Sequence, residues 1–423
     1  MVTLKTKLVF GGFMAAIAIC TLSSCSSDDG GLPDPVVTEN DNNDDPVDDG
    51  PSIIGFLACD GGQAGSYPCN GINLMSQIPL EIFTALRGND SWGWVDPTTG
   101  REYALMGLNN GTAFVDITSP SNPVYLGKLP SATSSSNWRD IKTYNNHAFI
   151  VAEAEGHGMQ VFDLTRLRDV TSAPEIFTAD AVLGEFGSAH NIVINEDSGY
   201  AYVVGASSFE GGPLFVNIQD PINPVVEGGY ADGNYTHDAQ VVTYNGPDTE
   251  HLGKEIFIGS NEDQIVIVDI TDKANPIALA SSEYSNVGYT HQGWFTEDQR
   301  YFLLGDELDE VQIGTRSRTI VFDFSDLDAP VVQTTYLGPT FAIDHNGYVQ
   351  NNNFYLANYT AGMRLIDISD IAATNLTEIA FFDTYPDNDD TSFNGVWSVY
   401  PYLPSGNIIV SDISGGLFIV ARQ

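Results

Sequence analysis

From about residue 91 the chain alternates short β-branched and aromatic runs with turns rich in Gly, Asn, Asp and Pro, and no long stretch carries a helical apolar period. That pattern predicts an all-β protein. The runs FVDITSPSNPV (114–124), FVNIQDPINPV (215–225), IVDITDKANPI (267–277) and VFDFSDLDAPV (321–331) are one unit written four times. VFDLTRLRDVTSAPEI (161–176) and LIDISDIAATNLTEI (365–379) are longer versions of it. In each, a strand ends at Asp or Asn and a turn follows, and in most a proline then sets up the next strand.

A second element recurs upstream of these runs: SWGWVD, NWRDIK, AHNIVI, THDAQV, THQGWF, DHNGYV and FNGVWS. Its marker residues are Trp92, Trp138, His190, His237, His291, His345 and Asn394, separated by 46, 52, 47, 54, 54 and 49 positions. A further strand, such as YALMGL or YFLLGD, lies between marker and Asp-ending run. Each unit therefore supplies four strands, which is a propeller blade. Seven markers predict a seven-bladed β-propeller of four-stranded blades over residues 91–423. The last unit has room for only three strands, so NLMSQIPL (73–80) is expected to supply the fourth and close the ring, leaving no raw sheet edge. A two-sheet sandwich would not produce this period.

The first 50 residues are of another kind. Lys5 and Lys7, an apolar run from Leu8 to Cys20 and then TLSSC read as a signal peptide over 1–25, too short to be a comfortable membrane span. LSSC resembles the bacterial lipobox, which implies that Cys25 carries a lipid anchor. Residues 26–50 hold nine acids and no Lys or Arg, a composition that cannot fold and reads as a tether. SSDDGG resembles the acidic signal that sends lipoproteins to the outer face of the outer membrane. DNNDDPVDDG lacks the spacing and the closing glutamate of a calcium loop. In the segment 51–90, Cys59 and Cys69 flank a glycine-rich loop that an oxidising compartment would close as a disulfide.

Removing residues 1–25 deletes two lysines and no acids, leaving 14 basic against 56 acidic residues and a formal charge of −42. Phosphate backbones would be repelled, so nucleic acid is excluded as a partner. The surface can instead collect divalent cations, although solubility alone explains such a charge.

The layout also resembles a known family. IVIVDI (265–270) matches the LVIVD repeat, and CDGGQAGSYPCNGINLMSQIPL (59–80), SWGWVD, GTAFVDITSPSNPVYLG and the AHN and THD elements resemble the choice-of-anchor B group of bacterial surface proteins. The resemblance spans roughly 55–423. It implies a surface propeller and carries no established reaction.

In a propeller, the approach to each inner strand and the loop between the second and third strands share one face. The markers and the clusters NNG (109–111), AEAEGHG (152–158), SNEDQ (260–264), DELDE (306–310) and NYTAG (358–362) are therefore expected on one rim. Four successive blades place His190, His237, His291 and His345 there. Imidazoles at a channel mouth can ligate zinc or a transition metal, with Asp238, Asp306 and Asp344 as further ligands or orienting groups. They can act as acid and base, or they can bond the next blade's backbone for packing alone. Trp92, Trp138, Glu307 and Tyr359 are expected on the ligand-facing rim, with Tyr235 and Tyr289, where aromatic faces can stack on a sugar or peptide. His157 and His251 are expected on the surface. DELDEVQIGTRSR (306–318) is either a flap over the rim or a loop that salt-bridges to itself. No GxSxG, HExxH or phosphate-loop motif is present. These features favour a surface lipoprotein that binds a glycan, peptide or envelope protein through its rim. A metal-dependent extracellular hydrolase or lyase and a purely structural envelope protein are the alternatives.

Overall fold

The structure is a computed structural model that describes residues 51–423. The signal peptide, Cys25 and the acidic tether lie outside the described residues. Seven sheets make up the chain from residue 63 onward, each formed around an antiparallel meander, and together they are an all-β seven-bladed propeller. The inner strands are Gly88–Val95, Arg139–Tyr144, Asn191–Asn195, Asp238–Thr243, Thr290–Phe295, Gly347–Gln350 and Val396–Tyr400. Among the described residues no helix is long and apolar enough to cross a membrane.

The continuous apolar runs follow from burial on both faces. All five residues of the strand Ile265–Asp269 are buried. Ile265 and Ile267 pack with Ile256, Ile258, Phe302 and Leu304 toward the fifth blade. Val266 and Val268 point the other way, into Tyr202, Val204 and Phe215 of the third. One strand thus feeds two inter-blade cores, and each fully buried aliphatic contributes about 1.5–3 kcal/mol.

The residue that ends each of these runs is a turn former. Oδ1 of Asp116, Asp163, Asn217, Asp269, Asp323 and Asp367 accepts the backbone N–H two residues on, at 2.8–3.0 Å. These are six Asx turns at equivalent positions, which is why the repeat is written with Asp or Asn.

Blade composition is less uniform than four strands throughout. Five sheets have four strands, one has five and one has six. Glu175–Ile176, read in sequence as the end of the second blade's long unit, pairs in parallel with the outer strand Val124–Pro130 of the first blade. Ala181–Leu183 is the second blade's own outer strand. Tyr67–Asn70 extends the sixth blade by pairing with Asn375–Phe382, and Gln63–Ala64 lies outside it. Ile72–Ile78 pairs antiparallel with the C-terminal strand Gly416–Arg422, in the outer position of the seventh sheet. Cys59 and Cys69 form a disulfide.

Candidate functional site at the channel mouth

The inner strands converge so that the four histidines lie side by side. Ring centroids are 4.3 Å apart for His190–His237, 4.3 Å for His237–His291 and 4.4 Å for His291–His345. The arc continues to Trp397, 4.8 Å from His345. A cavity of about 360 Å³ opens over these rings, and Arg87, Trp138, Glu307, Tyr359 and Phe393 also line it. A shallower cavity adjoins it along Trp138, Glu153, Tyr235 and Tyr289.

Backbone and carboxylate acceptors fix three of the imidazoles, while the buried Nδ1 of His291 has no hydrogen-bond partner among the described residues. Nδ1 of His237 donates to the His291 carbonyl at 3.2 Å, and Nδ1 of His345 donates to the carbonyl of Trp397. Nδ1 of His190 meets Glu153 Oε1 at 2.7 Å. Two of the four therefore bond the next blade's backbone, as a packing role requires. The same bonds leave Nε2 of His237 and His345 as lone-pair acceptors, the orientation that metal-binding histidines also need. Burial, then neighbouring imidazoles, push His237 and His291 well below the usual histidine range. Burial pushes His345 down to about 3, so these three rings are neutral at pH 7.

Glu307, on the loop after the second strand Tyr301–Asp306, closes the group. Its Oε2 lies 3.7 Å from His291 Nε2 and its Oε1 3.8 Å from His345 Nε2. Tyr359 donates to Oε1 at 2.8 Å. Burial raises the Glu307 carboxyl to about 7, while the Tyr359 hydrogen bond pulls it down. Ligand atoms of His291, Glu307 and His345 all lie within 4.8 Å of one another, a cluster able to hold a divalent or transition metal. Loop and inner strand meet there because the topology puts both on one face.

Several residues expected at the site lie elsewhere. Asp306 spends both oxygens on the backbone N–H groups of Gly288, Tyr289 and Leu308, the Tyr284 hydroxyl and Arg318, so it holds the loop and offers no free ligand atom. Asp344 accepts from Ser317 and Asn358, away from the mouth. Asp238 belongs to a buried charge cluster with Asp90, Asp140 and Lys142 farther down the inner strands. Burial raises it to about 7. Trp92 is not on this rim. It lies over Lys142 and lines a second cavity with Val193, Gln240 and Trp294, three or more positions along the same inner strands from the mouth. His157 is fully buried against Arg139, and His251 is buried beside Asp248 and Asp328. Of the two readings of 306–318, Arg318 pairs with Asp306 and Asp309 while Arg316 lies over Phe341, so the loop braces itself.

Sequence reasoning missed Arg87, Phe393 and Trp397. In the seventh blade the residue next to His345 in the arc is Trp397, not the marker Asn394. Asn394 precedes Gly395, which sits at φ +89° in the loop before the strand Val396–Tyr400, whereas Trp397 lies within that strand.

An LVIVD-repeat family pattern matches residues 252–282, the second and third strands of the fourth blade and its outer strand. No curated protein is similar in sequence at a significant level. Among solved structures, hydrazine synthase of Kuenenia stuttgartiensis is similar over 76% of this chain and 92% of its own, with 11% identity and a TM-score of 0.54. A protein from Lactobacillus plantarum is similar over 77% of this chain and 89% of its own, with 12% identity and a TM-score of 0.52. At such identities the likeness is one of fold. The chain is a distant β-propeller relative that carries an LVIVD repeat.

Proposed function

We propose that the chain is a binding module whose functional surface is the channel mouth, displayed outside the cell by a lipid on Cys25 and the acidic tether. The choice-of-anchor B resemblance and closure of the ring by Ile72–Ile78 belong to the same reading. The residue motifs support the first, and the pairing of that strand with Gly416–Arg422 supports the second. The observation that carries the function is the mouth cavity itself. Three neutral imidazoles present acceptors beside Trp138, which is 44% exposed, and Phe393, which is 49% exposed. Acceptors next to open aromatic faces suit a ligand with hydroxyl donors and an apolar face, such as a sugar. A formal charge of −40 disfavours polyanions, so the ligand is a neutral glycan. The test is retention of residues 51–423 on immobilised neutral polysaccharides, beside Trp138→Ala and Phe393→Ala. Retention of the parent and its loss in both variants is the expected result. Equal retention of all three proteins would remove the mouth from the binding surface.

A second reading rests on His291, Glu307 and His345. Three protein ligands leave a coordination position open for water or substrate, as in hydrolytic zinc sites. About one equivalent of zinc, manganese, iron or copper in protein purified without chelator, lost in His291→Ala/His345→Ala with the fold intact, would favour it. A turnover abolished together with the metal is the further requirement.

A further inference from the structure

The cavity system does not end at the mouth, and neither reading above uses its continuation. Trp138, His190, His237 and Glu307 line both the mouth and the shallower cavity beside it. Tyr235 and Tyr289 line that shallower cavity and also a third, of about 510 Å³, which reaches Asn234, Glu262 and Gln264. Through these shared walls the three cavities form one trough, from Trp397 in the seventh blade to the loops around the fourth.

The chemistry changes along the trough. At the junction two tyrosine rings are held in place. Tyr235 packs where Gly205 and Gly211 lack a Cβ, which would come within 3.1 and 2.7 Å of it. Tyr289 stands edge-on to His237 with ring centroids 5.2 Å apart, and its backbone N–H donates to Asp306 at 2.6 Å. Beyond these rings Asn261 braces the wall: Nδ2 donates to the Gly233 carbonyl at 2.7 Å, and Oδ1 accepts from the Thr236 hydroxyl at 3.1 Å. The Glu262 carbonyl accepts from the Thr290 N–H at 2.6 Å, while Glu262 itself holds φ +60°, a conformation that a glutamate adopts only at a cost. Asn234 is exposed and Gln264 half-buried, and among the described residues neither side-chain amide has a hydrogen-bond partner.

Resting on the glycan reading of the mouth, we infer that the outer cavity is a second saccharide subsite and that the ligand is a neutral glycan chain. One sugar sits over the histidines, the chain crosses Tyr235 and Tyr289, and a later sugar meets Asn234 and Gln264. A side-chain amide both donates and accepts, as a sugar hydroxyl does, so each amide can engage a hydroxyl in either sense. The tyrosines between the two polar ends give the apolar face of a sugar a place to stack. A single sugar can use only one end, whereas linked sugars gain the second contact at high effective concentration. The outer cavity is lined by Glu262 and Asp263 and by no Lys or Arg, which disfavours an anionic chain here as well.

The experiment uses the full chain and whichever of immobilised starch, mannan, xylan and mixed-linkage β-glucan retains it. That polysaccharide is cut to a ladder from the monosaccharide to about the octasaccharide, and each length is titrated by calorimetry. Affinity should rise about tenfold or more beyond the shortest chain that binds and then level off, which reads the second subsite without any mutation. Asn234→Gly/Gln264→Ala deletes both amides, and glycine suits the φ of +60° at residue 234. With the melting temperature unchanged, this variant should bind short chains as the parent does and long chains about tenfold more weakly. Affinity independent of length, or a parent-like plateau in the double variant, would overturn the second subsite. The mouth reading then stands on its own if Trp138→Ala still abolishes binding. Retention on none of the polysaccharides would overturn the mouth reading and this inference with it.

Discussion

Gly395 shows how closely the mouth depends on single residues. It holds φ +89°, and a Cβ there would lie 2.2 Å from the carbonyl oxygen of Tyr359. That carbonyl accepts from Val396 at 2.9 Å, and the Tyr359 hydroxyl holds Glu307. Gly395→Ala should therefore cost about 2 kcal/mol or more and disturb the Glu307 carboxylate. Gly100, at φ +70° with nothing near its missing Cβ, provides the control. Gly100→Ala should cost about 1 kcal/mol and leave binding at the mouth untouched. Chemical denaturation of both variants decides this, and equal losses would show that only backbone conformation matters. The histidine arc was legible in sequence because it repeats at blade spacing. Trp397 was not, because the seventh unit carries Trp where the four preceding units carry His, so no residue type repeats at that position.

At the level of the element, the Asx turn accounts for why the repeated run could be found. A polar residue at the strand end must cap the next turn, so the pattern survives even where the strand's apolar residues change. Asp269 makes this turn with Thr271 and also meets Lys254 at 3.2 Å. Asp269→Ala should lower stability by about 1–2 kcal/mol. Asp269→Asn keeps the turn acceptor and should recover most of that loss. A thermal melt in which Asn is as damaging as Ala would shift the credit to the Lys254 pair. The added strands were the illegible part. Glu175–Ile176 and Gln63–Ala64 are two residues each, too short for any period to announce them. The disulfide anchors the second of these additions, because Cys69 lies in the strand that pairs with Asn375–Phe382. Its loop closes over a separation of 10 residues, for which chain entropy gives about 2–3 kcal/mol. Reduction, or Cys59→Ser/Cys69→Ser, should lower the melting temperature by a corresponding few degrees while the seven sheets persist. An unchanged melt would mean that the segment already frays in the oxidised protein.

For the molecule as a whole, a ring of sheets brings many ionisable groups into a dry centre, and this gives its stability two opposing pH dependences. Histidines held neutral act in one direction. Burial and the Arg139 charge depress His157 to about 4, with Nε2 3.0 Å from Arg139 Nη1 and Nδ1 donating to the Gly158 carbonyl. Its folded pKa lies below the unfolded value of 6.5, so its contribution is complete above pH 6.5 and is lost as pH falls toward 4. A depression of that size corresponds to roughly 3 kcal/mol at the acid end. Carboxyls held protonated act in the other direction. Burial raises Asp238 to about 7 and Asp383 to about 6, against 3.8 unfolded. Their contribution is complete below pH 3.8 and is lost as pH rises through those values. Between pH 4 and 6.5 the two slopes oppose each other, so the parent's melting temperature should vary little there. It should fall more steeply below pH 4, where His345, depressed to about 3, is still losing its contribution and the carboxyls have nothing more to gain. Removing one histidine tilts the balance. His157→Gln keeps a polar group beside Arg139 but no longer titrates, and although its melting temperature at pH 7 should be lower, it should lose less on acidification from pH 6.5 to 4 than the parent. Parallel curves for the two proteins would mean that His157 is protonated in the fold, and that Arg139 is held by something other than a neutral ring.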